Sequence, residues 1–210
     1  MHIHPGENEQ IARLLGFLIQ GERLAETCAA RQAALTSQPG MRRFLLAQSR
    51  QEALHAAVFE NASAWLAPAR KSSPPMLVSM QRYSAHIDAA LCAGDLAETL
   101  LAQQVILEGL GEVVLTNIAV GIQRRNGVLQ RLHRSLLHQE QAHHSFGMTH
   151  LKSMQGAGLI SAETLRCKAH WYLDCAEDML DELQGQFDYF DEDATQYKHA
   201  LRAHLAGLLA

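Results

Sequence analysis

Two short repeats carry the residue types for metal chemistry: Glu52-Ala-Leu-His55 and Glu140-Gln-Ala-His143. On a helix, residues i and i+3 share a face, so each Glu-x-x-His offers one carboxylate oxygen and one imidazole nitrogen towards a common point. Such mixed donors suit divalent first-row metals. The repeat alone is weak, because 14 Glu and 12 His in 210 residues give about 0.8 such quartets by chance. Spacing strengthens it. Glu22 precedes Glu52 by 30 residues and Glu108 precedes Glu140 by 32, and a turn falls near the middle of each interval, at Ser37-Gln-Pro-Gly40 and at Arg125-Asn126-Gly127. Along antiparallel helices rising about 1.5 Å per residue, Glu22 and Glu52 then lie ~24 and ~21 Å from their turn, about level, and Glu108 and Glu140 come out level too. Requiring a matching Glu before both quartets lowers the chance expectation to roughly 2%.

The same four carboxylates fall on apolar stripes. Glu22 is flanked at helical spacing by Leu15, Leu18, Ile19, Ala25 and Ala29; Glu108 by Leu101, Val105, Gly111 and Leu115; Glu140 by Leu136, Leu137 and Gly147. A buried carboxylate is costly unless it is paired or metal-bound. Four at one depth would repel, and two divalent cations would balance them.

The elements that must position these residues are all helical. Apolar residues at 3.6 spacing predict helices over about 8–36, 41–66, 76–92, 95–124, 128–154, 161–184 and 193–209, the last capped by Asp191 or Asp193. Ala-Pro-Ala-Arg-Lys-Ser-Ser-Pro-Pro over 67–75 is the clearest break, and no segment has the β-branched alternation of a strand. Two long hairpins, helix 1 with 2 and helix 4 with 5, are thus joined by a 28-residue crossover (67–94) and followed by further helices, all within a single domain of 210 residues. Gly109-Leu-Gly111 lies inside helix 4, where small residues permit close packing near Glu108.

Composition excludes several function classes. A net charge of −4, with no basic run longer than Arg124-Arg125, leaves no footprint for nucleic acid. No apolar stretch reads as a membrane span, and the start lacks the charged and apolar regions of a signal peptide, so a cytoplasmic protein is expected. Cys28, Cys92, Cys167 and Cys175 form no Cys-x-x-Cys and read as reduced, packed thiols. The acidic stretch Asp188–Asp193 lacks the central Gly and closing Glu of a calcium loop, and 176–182 reads as a solvated helix face. Of the remaining candidates, Glu112, one turn after Glu108, could be an extra carboxylate ligand but reads rather as a residue behind the ligands or at the surface, and His133 and His144 could approach the site from helix 5, which also carries His138 and His150, though most of these read as hydrogen-bonded or exposed histidines. His2 and His4 read as adventitious metal binders at most.

The ordered set Glu22, Glu52, His55, Glu108, Glu140, His143 resembles the ferritin-like di-metal carboxylate superfamily: a Glu from each of two helices and Glu-x-x-His from each of the other two. The resemblance covers about residues 8–155, with 156–210 as appended helices. It implies a ferritin-like four-helix bundle with one long crossover. It also implies two iron ions, or a mixed manganese and iron pair, with Glu22 and His55 completing one site, Glu108 and His143 the other, and Glu52 and Glu140 bridging.

Within the superfamily, the chain lacks the Cys-rich electron-transfer domain of rubrerythrin-like proteins. It has Phe59 where the radical-generating subunits of ribonucleotide reductase carry Tyr. The 56 residues from Glu52 to Glu108 exceed the storage ferritins' spacing, and the length and C-terminal helices are more similar to the oxygenase branch, such as aldehyde-deformylating and amine-oxidising enzymes. The resemblance therefore implies a dioxygen-dependent oxidase or oxygenase acting on a small, largely apolar substrate. Its pocket would be lined by Phe17, Leu18, Val58, Phe59, Leu107, Leu110 and Leu115, its electrons would come from a separate ferredoxin or reductase, and a homodimer remains open. The competing reading is iron handling without organic substrate, as a ferroxidase or storage shell.

Overall fold

A computed structural model describes residues 5–69, 74–122 and 127–209, with side chains over 8–69, 74–117 and 133–209. Among the described residues there is no strand. The first hairpin pairs α1 (Pro5–Leu35) with α2 (Pro39–Leu66), and Pro39, at the start of α2, has a ring that fits a helical φ. The crossover carries α3 (Val78–Ala93), which ends at Gly94 in the left-handed conformation (φ 72°). Asp95 then caps the next rod by accepting from the Glu98 backbone N–H at 2.9 Å.

That rod, over 96–122, is one continuous helix with an irregular middle: α4 (Leu96–Leu100), a π-helical segment (Leu101–Leu107) and α5 (Glu108–Ile122). Six consecutive residues of the segment, Leu101 to Ile106, are buried, which a regular amphipathic helix would not allow. The wider winding is anchored from the crossover, where the Tyr83 hydroxyl donates to the Ala102 carbonyl at 2.7 Å. The second hairpin is completed by α6 (Gly127–Gly156), which lies so close to the π segment that a Cβ on Gly147 would stand 2.6 Å from Gln104 Cβ. Only glycine fits there.

The chain continues through α7 (Ala162–Glu182), α8 (Gln184–Phe190), α9 (Ala194–His204) and α10 (Ala206–Leu209). α7 covers α3 and the π segment, and α9 packs on α5. Four helices, α1, α2, the 96–122 rod and α6, therefore form the bundle, with α3 as the crossover and α7 to α10 added outside.

Several sequence expectations are corrected. The helix expected over 161–184 stops at Glu182 and is followed by a separate α8, and the one expected over 193–209 breaks at Leu205. Of the two cap candidates it is Asp193 that caps α9, accepting from the Thr195 N–H. The acidic 176–182 run is not merely solvated: Glu182 accepts the Val78 and Ser79 backbone N–H groups at 2.8 and 2.7 Å, capping α3 across the fold, and Glu177 pairs with Arg202. Only Cys28 and Cys175 are packed, while Cys92 and Cys167 are exposed. Leu96–Asn117 is long and apolar enough to cross a membrane by length and composition, contrary to the sequence reading, yet 67% of it is buried inside the bundle. It is apolar because it is a core wall. His2, His4 and residues 123–126, which include Arg125-Asn126 of the expected second turn, lie outside the described residues.

Candidate metal centre

Each of the six expected residues comes from a separate bundle position: Glu22 from α1, Glu52 and His55 from α2, Glu108 from the start of α5, Glu140 and His143 from α6. The structure brings them together. One donor atom each from Glu22, Glu52, His55 and Glu140 lies within 4.8 Å of the others, and the same holds for Glu52, Glu108 and His143. Glu52 belongs to both groups. Its Oε2 is 3.0 Å from His55 Nδ1 and its Oε1 is 3.0 Å from His143 Nδ1. Glu22 Oε2 accepts from His55 Nδ1 at 3.2 Å, and Glu108 Oε2 lies 3.5 Å from His143 Nδ1. Glu140 falls in the first group only, 3.9 Å from His55 Nδ1.

Both Glu52 oxygens and His143 Nδ1 are buried without a well-directed hydrogen bond, despite these short separations. Orphaned, fully buried donors of this kind are costly unless a cation stands between them, and carboxylate with imidazole is a set that divalent iron, manganese and zinc accept. The residues present therefore fit a pair of divalent metals.

Taken as side chains alone, the cluster is strongly coupled. Burial raises the Glu22 carboxyl to about 7, against the pull of His55. Burial, and then Glu108 beside it, push Glu140 well above the usual carboxylate range. For Glu52 burial works in the same direction, but the close approach and charge of His143 and His55, each with Nδ1 3.0 Å away, outweigh it and hold the group at about 2. Burial opposes charge on the imidazoles, yet Glu22 and Glu52 push His55 up to about 10, and Glu108 and Glu52 do the same to His143. The protons on the imidazoles, Glu140 and Glu22 occupy the place of positive charge.

Orientation of the two imidazoles comes from residues that the sequence reading passed over. His55 Nε2 pairs with Gln139 Oε1 at 2.6 Å and His143 Nε2 with Gln51 Oε1 at 2.9 Å. Each glutamine directly precedes the Glu of the opposite quartet, so the repeat is really Gln-Glu-x-x-His and each copy steadies the other's histidine. The doubled Gln was visible in the sequence. A second glutamine set holds Glu108: its Oε1 accepts from Gln48 at 2.7 Å and Gln103 at 3.1 Å, and Gln104 bonds both Gln32 and Gln48 behind them. All four are at most 1% exposed. Gly111 is needed here too, since a Cβ there would stand 3.0 Å from Glu140 Oε2.

Beside the cluster lies a cavity of about 90 Å³, walled by Phe17, Leu18, Phe59, Met80, Leu107, Leu110, Val114, Leu115 and Leu136, with Glu22, Glu108 and Glu140 at its floor. Six of the seven expected lining residues are there; Val58 is not. Gln103 lines it as well, with its Oε1 buried and unpartnered. The other candidates lie elsewhere. His133 Nε2 bonds the Leu115 carbonyl at 2.6 Å, His150 packs against Phe146, and His138 is exposed. Glu112 and His144 do not join the central set and instead meet His204 on the outer side of α5 and α6.

No family model matches this sequence, and no curated protein does. Among solved structures, the fold is similar to a protein from Synechococcus described as having aldehyde deformylating oxidase activity, with a TM-score of 0.76 at 20% identity, over 96% of this chain and 90% of that one. The chain thus has the ferritin-like fold, an all-helical four-helix bundle with a single long crossover and added C-terminal helices.

Proposed function

We propose that this chain is a non-haem di-iron oxidase or oxygenase that uses dioxygen to oxidise a small, largely apolar organic molecule. Glu22 and His55 would hold one iron, Glu108 and His143 the other, with Glu52 and Glu140 between them. The observation that carries the reading is Glu52, whose two buried, unbonded oxygens each stand 3.0 Å from a different imidazole Nδ1. When bound, the iron pair supplies one-electron and dioxygen chemistry.

The chain's own side chains do the rest. Gln139 and Gln51 hold the outer Nε2 atoms and so aim both Nδ1 atoms inward. The apolar wall would give the substrate a largely apolar lining above the floor of the cavity. Gln103 Oε1 is placed to accept a hydrogen bond from a donor on the substrate, the polar fix an apolar pocket needs for orientation. Electrons would come from an external ferredoxin or reductase in the cytoplasm.

The neighbouring fold's activity suggests the first substrates to try. Iron-loaded protein with a chemical reductant is given straight-chain aldehydes, alkylamines and fatty acids of increasing length, and dioxygen uptake is followed with product analysis. One class should stimulate uptake, and Glu52→Ala and His143→Ala should lose both iron and turnover. Unchanged iron content in those variants would overturn the reading. Uptake that follows added Fe²⁺ through many equivalents with no organic dependence would replace it by the ferroxidase or storage alternative.

A further inference from the structure

Outside the central cluster, three side chains from three elements meet on the far face of the second hairpin: Glu112 of α5, His144 of α6 and His204, the last residue of α9. One donor atom from each lies within 4.8 Å of the other two. His204 Nε2 is 3.4 Å from Glu112 Oε2, and the His144 and His204 rings are 4.4 Å apart between centroids. Two donors on a tetrahedral zinc-type ion, with bonds near 2.0–2.1 Å, stand about 3.4 Å apart, so this pair is already at ligand spacing.

Three further facts set the cluster apart from a chance meeting of polar groups. His144 Nε2 is buried and has no hydrogen-bond partner. Glu112 is held in place by Gln141, whose Nε2 donates to Oε1 at 3.1 Å and leaves Oε2 for the cluster. Gly109 faces both rings: a Cβ there would come within 3.3 Å of His204 Cδ2 and 3.7 Å of His144 Cδ2, so a side chain at this position would press on the two imidazoles.

We infer that Glu112, His144 and His204 form a third metal site, separate from the central pair, that takes one divalent first-row ion with two imidazoles and one carboxylate. Two histidines and a carboxylate leave a coordination position open for water. Because His204 comes from α9 and the other two from the bundle wall, the ion ties the added C-terminal helices to the rods that carry Glu108 and His143. The site does not depend on the oxygenase reading.

Zinc is the probe. Full-length wild type, His204→Ala and Glu112→Gln are stripped with chelator and dialysed against the same buffered free Zn²⁺, and bound metal per chain is measured by mass spectrometry. Circular dichroism melts in chelator confirm that all three fold alike. Both variants should bind one Zn²⁺ fewer per chain than wild type, whatever the central pair contributes. If central binding fails altogether, wild type still binds one ion and the variants none. Equal stoichiometry in wild type and both variants overturns the inference, and so does loss in only one of them, since each residue is a required ligand.

Discussion

Loading metal into the stripped protein should expel protons in a number the site itself sets. His55 and His143, each pushed up to about 10, carry a proton at pH 7, and Glu140, raised well above the carboxylate range, carries another. Glu22, at about 7, is half protonated, whereas Glu52, held at about 2, has none to give. Ligands must be deprotonated to bind, so two ions should release roughly three to four protons per chain. Anaerobic calorimetric titration with Fe²⁺ at pH 7, in buffers of differing ionisation enthalpy, yields the count from the slope of observed heat. Using the His204→Ala background keeps the outer cluster from contributing. Raising the pH to 8 ionises Glu22 and should lower the count by about half a proton. Release of one proton or fewer would mean that the imidazoles are neutral before metal arrives, and the coupled charge pattern would be wrong.

Three more outcomes can be checked. Replacing Gln139 by Leu frees His55, and replacing Gln51 by Leu frees His143; each should weaken metal binding by about 10–100-fold in chelator competition, and unchanged affinity would show that the amides do not orient the rings. In the stripped protein, raised groups stabilise the fold below their unfolded values and lose that contribution as pH climbs through the folded ones: from 4.5 to about 7 for Glu22 and from 6.5 to about 10 for the two histidines. Glu52 runs the other way, helping above 4.5 and fading only towards about 2, so melting temperature in chelator should peak near pH 5 and fall towards pH 10, and a flat or rising curve contradicts this. Gly147→Ala must push Gln104 or the helix backbone aside, costing about 1–3 kcal/mol, which for a chain of this size lowers Tm by ~2–4 °C per kcal/mol in a thermal melt.

The six central residues were legible because ionisable groups on apolar stripes conflict with their surroundings, and two hairpins of nearly equal arm length left one way to resolve the conflict. What escaped the sequence had no such conflict to betray it. Gln103 and Gln104 look like an ordinary polar face of a helix, and only the extra residue of winding between Leu101 and Leu107 turns both inward. A π segment carries no compositional mark, since it depends on what Tyr83 and Gly147 offer from elsewhere in the chain. The outer trio was half visible, as Glu112 and His144 stood beside the ligands, but their third member lies 60 residues on from His144, and only the docking of α9 on α5 brings it near. Val58 and Phe59 were both expected in the pocket and only Phe59 lines it, because adjacent helical positions point about 100° apart.

The crossed glutamines bear on how such a protein can change over generations. Because Gln51 serves the imidazole on α6 and Gln139 the one on α2, neither half of the molecule owns a finished set of instructions for its own metal. A descendant that lost one amide would find its remedy only in the opposite hairpin. The two halves are bound to drift together, and an attempt to transplant or recombine either one alone should inherit a histidine with nothing to steer it.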